Sequence, residues 1–125
     1  MIAGIGIDVV NIHRMEKWRN NPVILERFFD PEELKTALEK GNNANSSLAA
    51  RFAAKEAFGK ALGTGFAGIA LKDIRVKNRQ NGQPELIVSG TALAAMENNG
   101  AKRIHLSLTH ERDYAVAMVV LEHEV

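Results

Sequence analysis

Residues 45–65, NSSLAARFAAKEAFGKALGTG, decide the fold. The stretch is rich in alanine and free of proline, with Asn45, Ser46 and Ser47 as candidate N-caps and Gly63 and Gly65 closing it. It predicts a helix of about five turns, about 27 Å long at a rise of about 1.5 Å per residue. Leu48, Phe52, Gly59 and Leu62 fall on one side, and Glu56 lies about 40° from Phe52. Lys60 follows Glu56 at i+4, the favourable order for an acid and a base on one face. A carboxylate and an ammonium therefore leave the margin of the buried stripe together, and an acid placed there is partly desolvated.

Outward from this helix, residues 2–8 read as a buried strand whose glycines mark a close approach of another element. Asn11 caps an expected helix to Arg19 with Ile12, Met15 and Trp18 inward, and Pro22 opens a second short helix over residues 23–29. Asp30-Pro31-Glu32-Glu33 is a strong helix start, with a cap, a proline in the first turn and acids behind it; that helix runs to about Lys40 and stops at Gly41. Beyond the central helix, residues 71–78 and 85–89 form two strands around the Asn81-Gly82 turn, and Pro84 places the second at an edge or a strand start. Residues 91–98 form a short helix, and residues 103–109 and 114–122 the last two strands. The expected architecture is one α+β domain over residues 1–125, an antiparallel hairpin-built sheet packed on a long central helix.

Composition narrows the function. A chain of 125 residues, 46% hydrophobic and 25% charged, is an ordinary globular domain. It has no cysteine, hence no thiolate nucleophile and no cysteine-based zinc site, and a cytoplasmic location is expected. The opening MIAGIGID lacks a basic segment and carries Asp8 early, so no signal peptide is expected, and no run is long enough to span a membrane. A net charge of +1 argues against a protein built for nucleic acid.

The chemistry rests on acids far apart in sequence. Asp8 ends a strand and Glu56 projects from the central helix near the core, and two carboxylates in apolar surroundings repel unless a cation or proton lies between them. Magnesium suits such a pair, since it is commonly held by one or two carboxylates with water and substrate phosphate. Read bare, Asp8 serves equally as a helix cap, and Glu56 with Lys60 as a solvated i,i+4 pair.

Four blocks carry a resemblance: Gly4-Ile5-Gly6-Ile7-Asp8; Arg51-Phe52-Ala53-Ala54-Lys55-Glu56-Ala57-Phe58-Gly59-Lys60 with its continuation to Gly65; Asn81-Gly82-Gln83-Pro84; and His105 to His110 followed by Tyr114-Ala115. Together they resemble the holo-acyl-carrier-protein synthases, which are phosphopantetheinyl transferases, nearly end to end. The resemblance implies transfer of the phosphopantetheine arm of coenzyme A onto a serine of apo-acyl carrier protein, releasing adenosine 3',5'-bisphosphate. It implies Asp8 and Glu56 as ligands of Mg²⁺ beside the diphosphate, with Lys60 stabilising the leaving phosphate, as phosphoryl transfer requires. Glu56, through a metal-bound water, is the expected base for the serine hydroxyl, with Asp8 or a bound hydroxide as the alternative. Arg51 and Lys55 are expected on coenzyme A phosphates, against a reading as solvated surface charge.

His110, at a strand end, matches a coenzyme A-contacting histidine near the 3'-phosphate and is expected to be more exposed than His105, which orders the strand. Asn81-Gly82 borders the adenine or is a plain turn. The Gly63-Thr64-Gly65 loop has no Walker pattern, and it is expected to let backbone approach the phosphates. Where larger relatives carry a second acid, this chain has Val10, so water is expected in that coordination position. Arg14, Lys17 and Arg27 form either a solvated face or, as the resemblance implies for Arg14 and Arg27, a dock for an acidic carrier; Trp18 is read as core. A homotrimer with sites at subunit boundaries is also implied. A carrier- or nucleotide-binding module without activity would need damage at Asp8, Glu56 or Lys60, and an RNA-binding domain would need an aromatic platform; neither feature is present.

Overall fold

The computed structural model describes residues 1–124. Strand β1 (Ile2–Asn11) is followed by three helices, α1 (Arg14–Arg19), α2 (Pro22–Phe28) and α3 (Pro31–Leu38). The long helix α4 (Ala44–Leu62) leads to strands β2 (Ile74–Asn78) and β3 (Pro84–Val88), helix α5 (Gly90–Asn99), and strands β4 (Ala101–His110) and β5 (Tyr114–His123). The α+β expectation holds, but the strands form two sheets. β5 lies between β1 and β4 in an antiparallel sheet of three, and β2 and β3 pair by themselves.

Helix α4 lies across the three-stranded sheet, and the glycines of β1 set the distance. A Cβ built on Gly4 would lie 1.9 Å from the Ala61 carbonyl oxygen, and one on Gly6 would lie 1.9 Å from that of Ala57. No side chain fits there, so the Gly-x-Gly spacing is the close approach the sequence announces. Fourteen of the nineteen residues of α4 are buried, so it is a core helix enclosed on most sides and not one with a single apolar stripe. Its alanines let β1, β5 and the smaller elements all come near. The helix starts at Ala44, one turn of 3₁₀ helix (Gly41–Asn43) precedes it, and no side chain caps it, contrary to the Asn45–Ser47 expectation. Its end is as expected, with Gly63 left-handed at φ 81°.

Other boundaries moved for identifiable reasons. β1 continues to Asn11 because Tyr114 on β5 still pairs with it; Asn11 instead accepts the His13 N–H at 2.9 Å and turns the chain into α1. Asp30 caps α3 by accepting the N–H groups of Glu32 and Glu33 at 3.1 and 3.2 Å, as its sequence requires. Residues 71–73 are a 3₁₀ turn and not strand, since the Asp73 carboxylate accepts both the N–H and the hydroxyl of Thr91.

The largest departure concerns β1 itself. Only its Gly4–Gly6–Asp8–Val10 side meets α4; Ile5, Ile7 and Val9 are 58%, 56% and 57% exposed on the other. Cross-strand pairing sets Ile5 opposite Val120, Ile7 opposite Met118 and Val9 opposite Val116, so one sheet face is a continuous apolar surface.

Candidate functional site

Two groups of charged side chains flank α4. The first lies where β1 leaves the helix. Asp8, two residues beyond Gly6, faces α4, and its Oδ1 accepts from Lys60 Nζ at 2.9 Å. The same ammonium donates to the Ile7 carbonyl at 3.0 Å. Lys60 therefore pairs across to the strand, and not back along the helix to Glu56 as i+4 spacing suggests. Glu56 is half-buried beside them with no hydrogen-bond partner of its own among the described residues. Burial first, and the Asp8 charge second, hold its carboxyl above the ordinary glutamate range, while Lys60 and Arg14 pull the other way. The acid is desolvated, as its place at the stripe margin predicts.

These residues fit a hard divalent cation. The donors are two carboxylates whose charges oppose each other closely enough to perturb Glu56, and no cluster of three metal-ligating side chains occurs among the described residues. A two-carboxylate site completed by water and phosphate is the arrangement magnesium favours.

Arg14 reaches this corner. Its guanidinium lies 5.1 Å from the Trp18 ring and 5.3 Å from that of Phe52. Arg27 lies 5.8 Å from Phe28, and Trp18, Phe28 and Phe52 pack with ring centroids 4.9 to 5.7 Å apart. Trp18 is thus a half-buried part of the core, and both arginines lie on aromatic rings that hold them at the surface. Lys17 is exposed.

The second group lies on the other side of α4, because Arg51 and Glu56 are five residues, or about 140°, apart around the helix. Arg51 is buried, not solvated: its Nε donates to Ser47 Oγ at 3.2 Å and Nη1 to the Val76 carbonyl at 2.6 Å. It borders a cleft of about 360 Å³ that also includes Lys40, Ser46, Ser47, Pro84 and His110. His110 and Arg51 are therefore brought together, as the sequence reading expected. His105 lies on the opposite sheet face, bonded to Glu122 at 3.0 Å, and it too is exposed. Asn81 and Gly82 form an exposed turn at the tip of β2–β3, with Gly82 at φ 87°, and lie in neither cleft. Gly65, left-handed at φ 63°, returns its N–H to the Gly59 carbonyl at 3.1 Å.

Lys55 corrects the sequence reading most sharply. It is fully buried, and its ammonium donates to Glu33 Oε1 at 2.8 Å, to the Leu71 carbonyl at 3.1 Å and to the Ile74 carbonyl. With three acceptors in the interior it has none left for a coenzyme A phosphate. Glu33, overlooked as a mere first-turn acid, is the anion of this group: Oε2 accepts the Val76 N–H at 2.8 Å and lies 3.8 Å from Arg51 Nη1. Burial pushes both the Lys55 and the Arg51 cations down from their ordinary pKa values, and Glu33 opposes the shift. Two cations in sequence, Arg51 and Lys55, with no acid at i±4 on one side of a buried helix, were the available hint of an acid arriving from elsewhere.

The profile of the 4'-phosphopantetheinyl transferase superfamily matches residues 4–119. A holo-[acyl-carrier-protein] synthase of Treponema denticola is 58% identical over 122 residues, covering 98% of this chain and 99% of the relative. The crystal structure of a holo-(acyl-carrier-protein) synthase from Bacillus anthracis in complex with CoA superposes with a TM-score of 0.82 at 39% identity, covering 99% of both chains. The synthase of Neisseria meningitidis superposes with a TM-score of 0.88 at 35% identity, covering 98% of this chain and 99% of that one.

Proposed function

Because this chain belongs to the holo-[acyl-carrier-protein] synthases of the 4'-phosphopantetheinyl transferase superfamily, we propose that it moves the 4'-phosphopantetheine arm of coenzyme A onto a serine of apo-acyl carrier protein. The bond from serine Oγ to phosphorus forms as the diphosphate bond breaks, and adenosine 3',5'-bisphosphate leaves. The carrier so modified serves fatty acid biosynthesis in the cytoplasm.

The observation that carries this reading is the corner where Asp8, Glu56 and Lys60 meet. Asp8 and Glu56 are the residues that would hold Mg²⁺. When bound there, the ion neutralises charge on the diphosphate oxygens. Lys60, already anchored to Asp8 and the Ile7 carbonyl, offers its remaining N–H to the leaving phosphate. Glu56 has no competing hydrogen bond among the described residues and an elevated pKa, so in its ionised form it accepts the serine proton more readily than a solvated glutamate does. Arg14 and Arg27, held on their aromatic rings, present positive charge to an acidic carrier beside this corner.

The cleft holding Arg51 and His110 takes the nucleotide end of coenzyme A, with Arg51 and His110 on its phosphates. Arg51 and Glu56 leave α4 in directions about 140° apart, so the cleft of one subunit serves the acids of the next in a homotrimer. The open apolar face of Ile5, Ile7, Val9 and Met118 supports such assembly. Adding coenzyme A at about a hundred times its Kd with magnesium should raise the melting temperature by several degrees, and by much less with chelator present. An equal shift without magnesium removes the ion from the site.

A further inference from the structure

The buried group on the Arg51 side of α4 contains two cations, Arg51 and Lys55, and one anion, Glu33. How the single negative charge is shared decides what Arg51 can do. Glu33 Oε1 lies 2.8 Å from Lys55 Nζ, within hydrogen-bond range, but Oε2 lies 3.8 Å from Arg51 Nη1, beyond it. Oε2 is instead taken by the Val76 N–H at 2.8 Å, and Nη1 is aimed at the carbonyl of that same Val76 at 2.6 Å. One residue of β2 thus holds the carboxylate and the guanidinium side by side as a long ion pair, looser than the hydrogen-bonded pair of Glu33 with Lys55. Among the described residues Arg51 Nη2 has no protein partner. Arg51 also lines two clefts, of about 230 and 360 Å³.

We propose that Lys55 is a positioning residue for coenzyme A binding: by taking up most of the Glu33 charge it leaves the Arg51 guanidinium with its positive charge only partly compensated at the cleft wall, ready for a phosphate. Glu33 and Val76 hold the arginine in one orientation, and Lys55 keeps Glu33 from claiming its charge. Lys55 touches no ligand. It acts through Glu33 on Arg51, which explains why a lysine is buried on the helix that carries the site. In a poorly screened interior such a difference in pairing is worth far more than at the surface. The inference rests on the reading that Arg51 binds a phosphate of coenzyme A.

The two members of the pair should then act in opposite directions, which a shared structural role would not produce. In Lys55→Met the Glu33 charge turns to Arg51, and KM for coenzyme A should rise about tenfold. In Glu33→Gln the amide oxygen keeps the Val76 N–H and Lys55 keeps its two carbonyls, while Arg51 loses the one anionic neighbour it has among the described residues; KM for coenzyme A should fall about threefold. In the double variant, which removes both charges of the pair, KM should lie within about twofold of the unaltered protein. In all three kcat and KM for the carrier should stay near their starting values, with folding followed by circular dichroism. If Lys55→Met does not fold, Glu33→Gln decides, and if neither single variant folds, the double variant does. A KM rise of about tenfold in Glu33→Gln or in the double variant overturns the proposal, as does an unchanged KM in folded Lys55→Met. Arg51→Ala is the control. An unchanged KM there defeats the phosphate assignment of Arg51 and the proposal with it, whereas a raised KM there with an unmoved Lys55→Met defeats the proposal alone.

Discussion

Lys55 and Glu56 are neighbours in sequence and opposites in circumstance. Lys55 is buried among three acceptors, one of them the charged Glu33, so every proton of its ammonium is spoken for. Glu56 is half-buried, has no hydrogen-bond partner among the described residues, and is pushed toward its neutral form by burial and by Asp8. One helix therefore carries a satisfied charge, Lys55, on one side and an unsatisfied one, Glu56, on the other. Satisfied groups hold folds together, and unsatisfied ones are left for something that is not the protein. The difference teaches where to look for chemistry on a helix that is charged on two sides.

The contrast can be broken most directly at the acids. Asp8→Asn and Glu56→Gln should each lower transfer to the carrier by about a thousandfold or more, measured by mass spectrometry of the carrier, while the circular dichroism spectrum is unchanged. Near-normal rates would remove the acid concerned from the site. Glu33→Ala should show the reverse profile. It leaves two buried cations without their anion and the Val76 N–H without its acceptor, a loss of about 3–5 kcal/mol in stability and about 10–20 °C in melting temperature. A melting temperature within a degree or two (about 0.5 kcal/mol) of the unaltered protein would mean that the cluster is not the structural support described.

The smallest effect sharpens the comparison furthest. The folded protein raises the Glu56 pKa, so ionising this acid costs stability: the penalty is absent at pH below the ordinary glutamate value and appears as pH rises through and above it. Glu56→Gln should therefore melt slightly higher than the unaltered protein, by about one or two degrees at pH 7.5, with the difference vanishing near pH 4. A lower melting temperature at pH 7.5 would show that Glu56 is held by interactions the structure does not contain.

Much of this was legible in the residues. Gly4 and Gly6 announced a close approach because nothing larger than hydrogen fits against the Ala57 and Ala61 carbonyls. Asp30 and Gly63 marked helix ends because caps are local chemistry, decided within four residues. Asp8 and Glu56 were singled out by their apolar surroundings. The misread features all depend on partners distant in sequence. Lys55 looked like a ligand for a coenzyme A phosphate, or else a solvated cation, because Glu33, 22 positions away, gives no local sign of facing it. Asn11 looked like a cap because the ladder to Tyr114 is invisible until β5 is placed. The outer side of β1 looked buried because its isoleucines and valine suit an interior, yet in the single chain these side chains are more than half exposed.

The glycines of β1 have one more consequence. Since main chain touches main chain between Gly6 and Ala57, the offset between the two acids is dictated by backbone geometry, with Asp8 two residues past one contact point and Glu56 one residue before the other. Strand and helix can be displaced only as a unit. An engineer wishing to retune the proposed ion site is accordingly free to vary the carboxylates, but the gauge that spaces them is built from the absence of a methyl group.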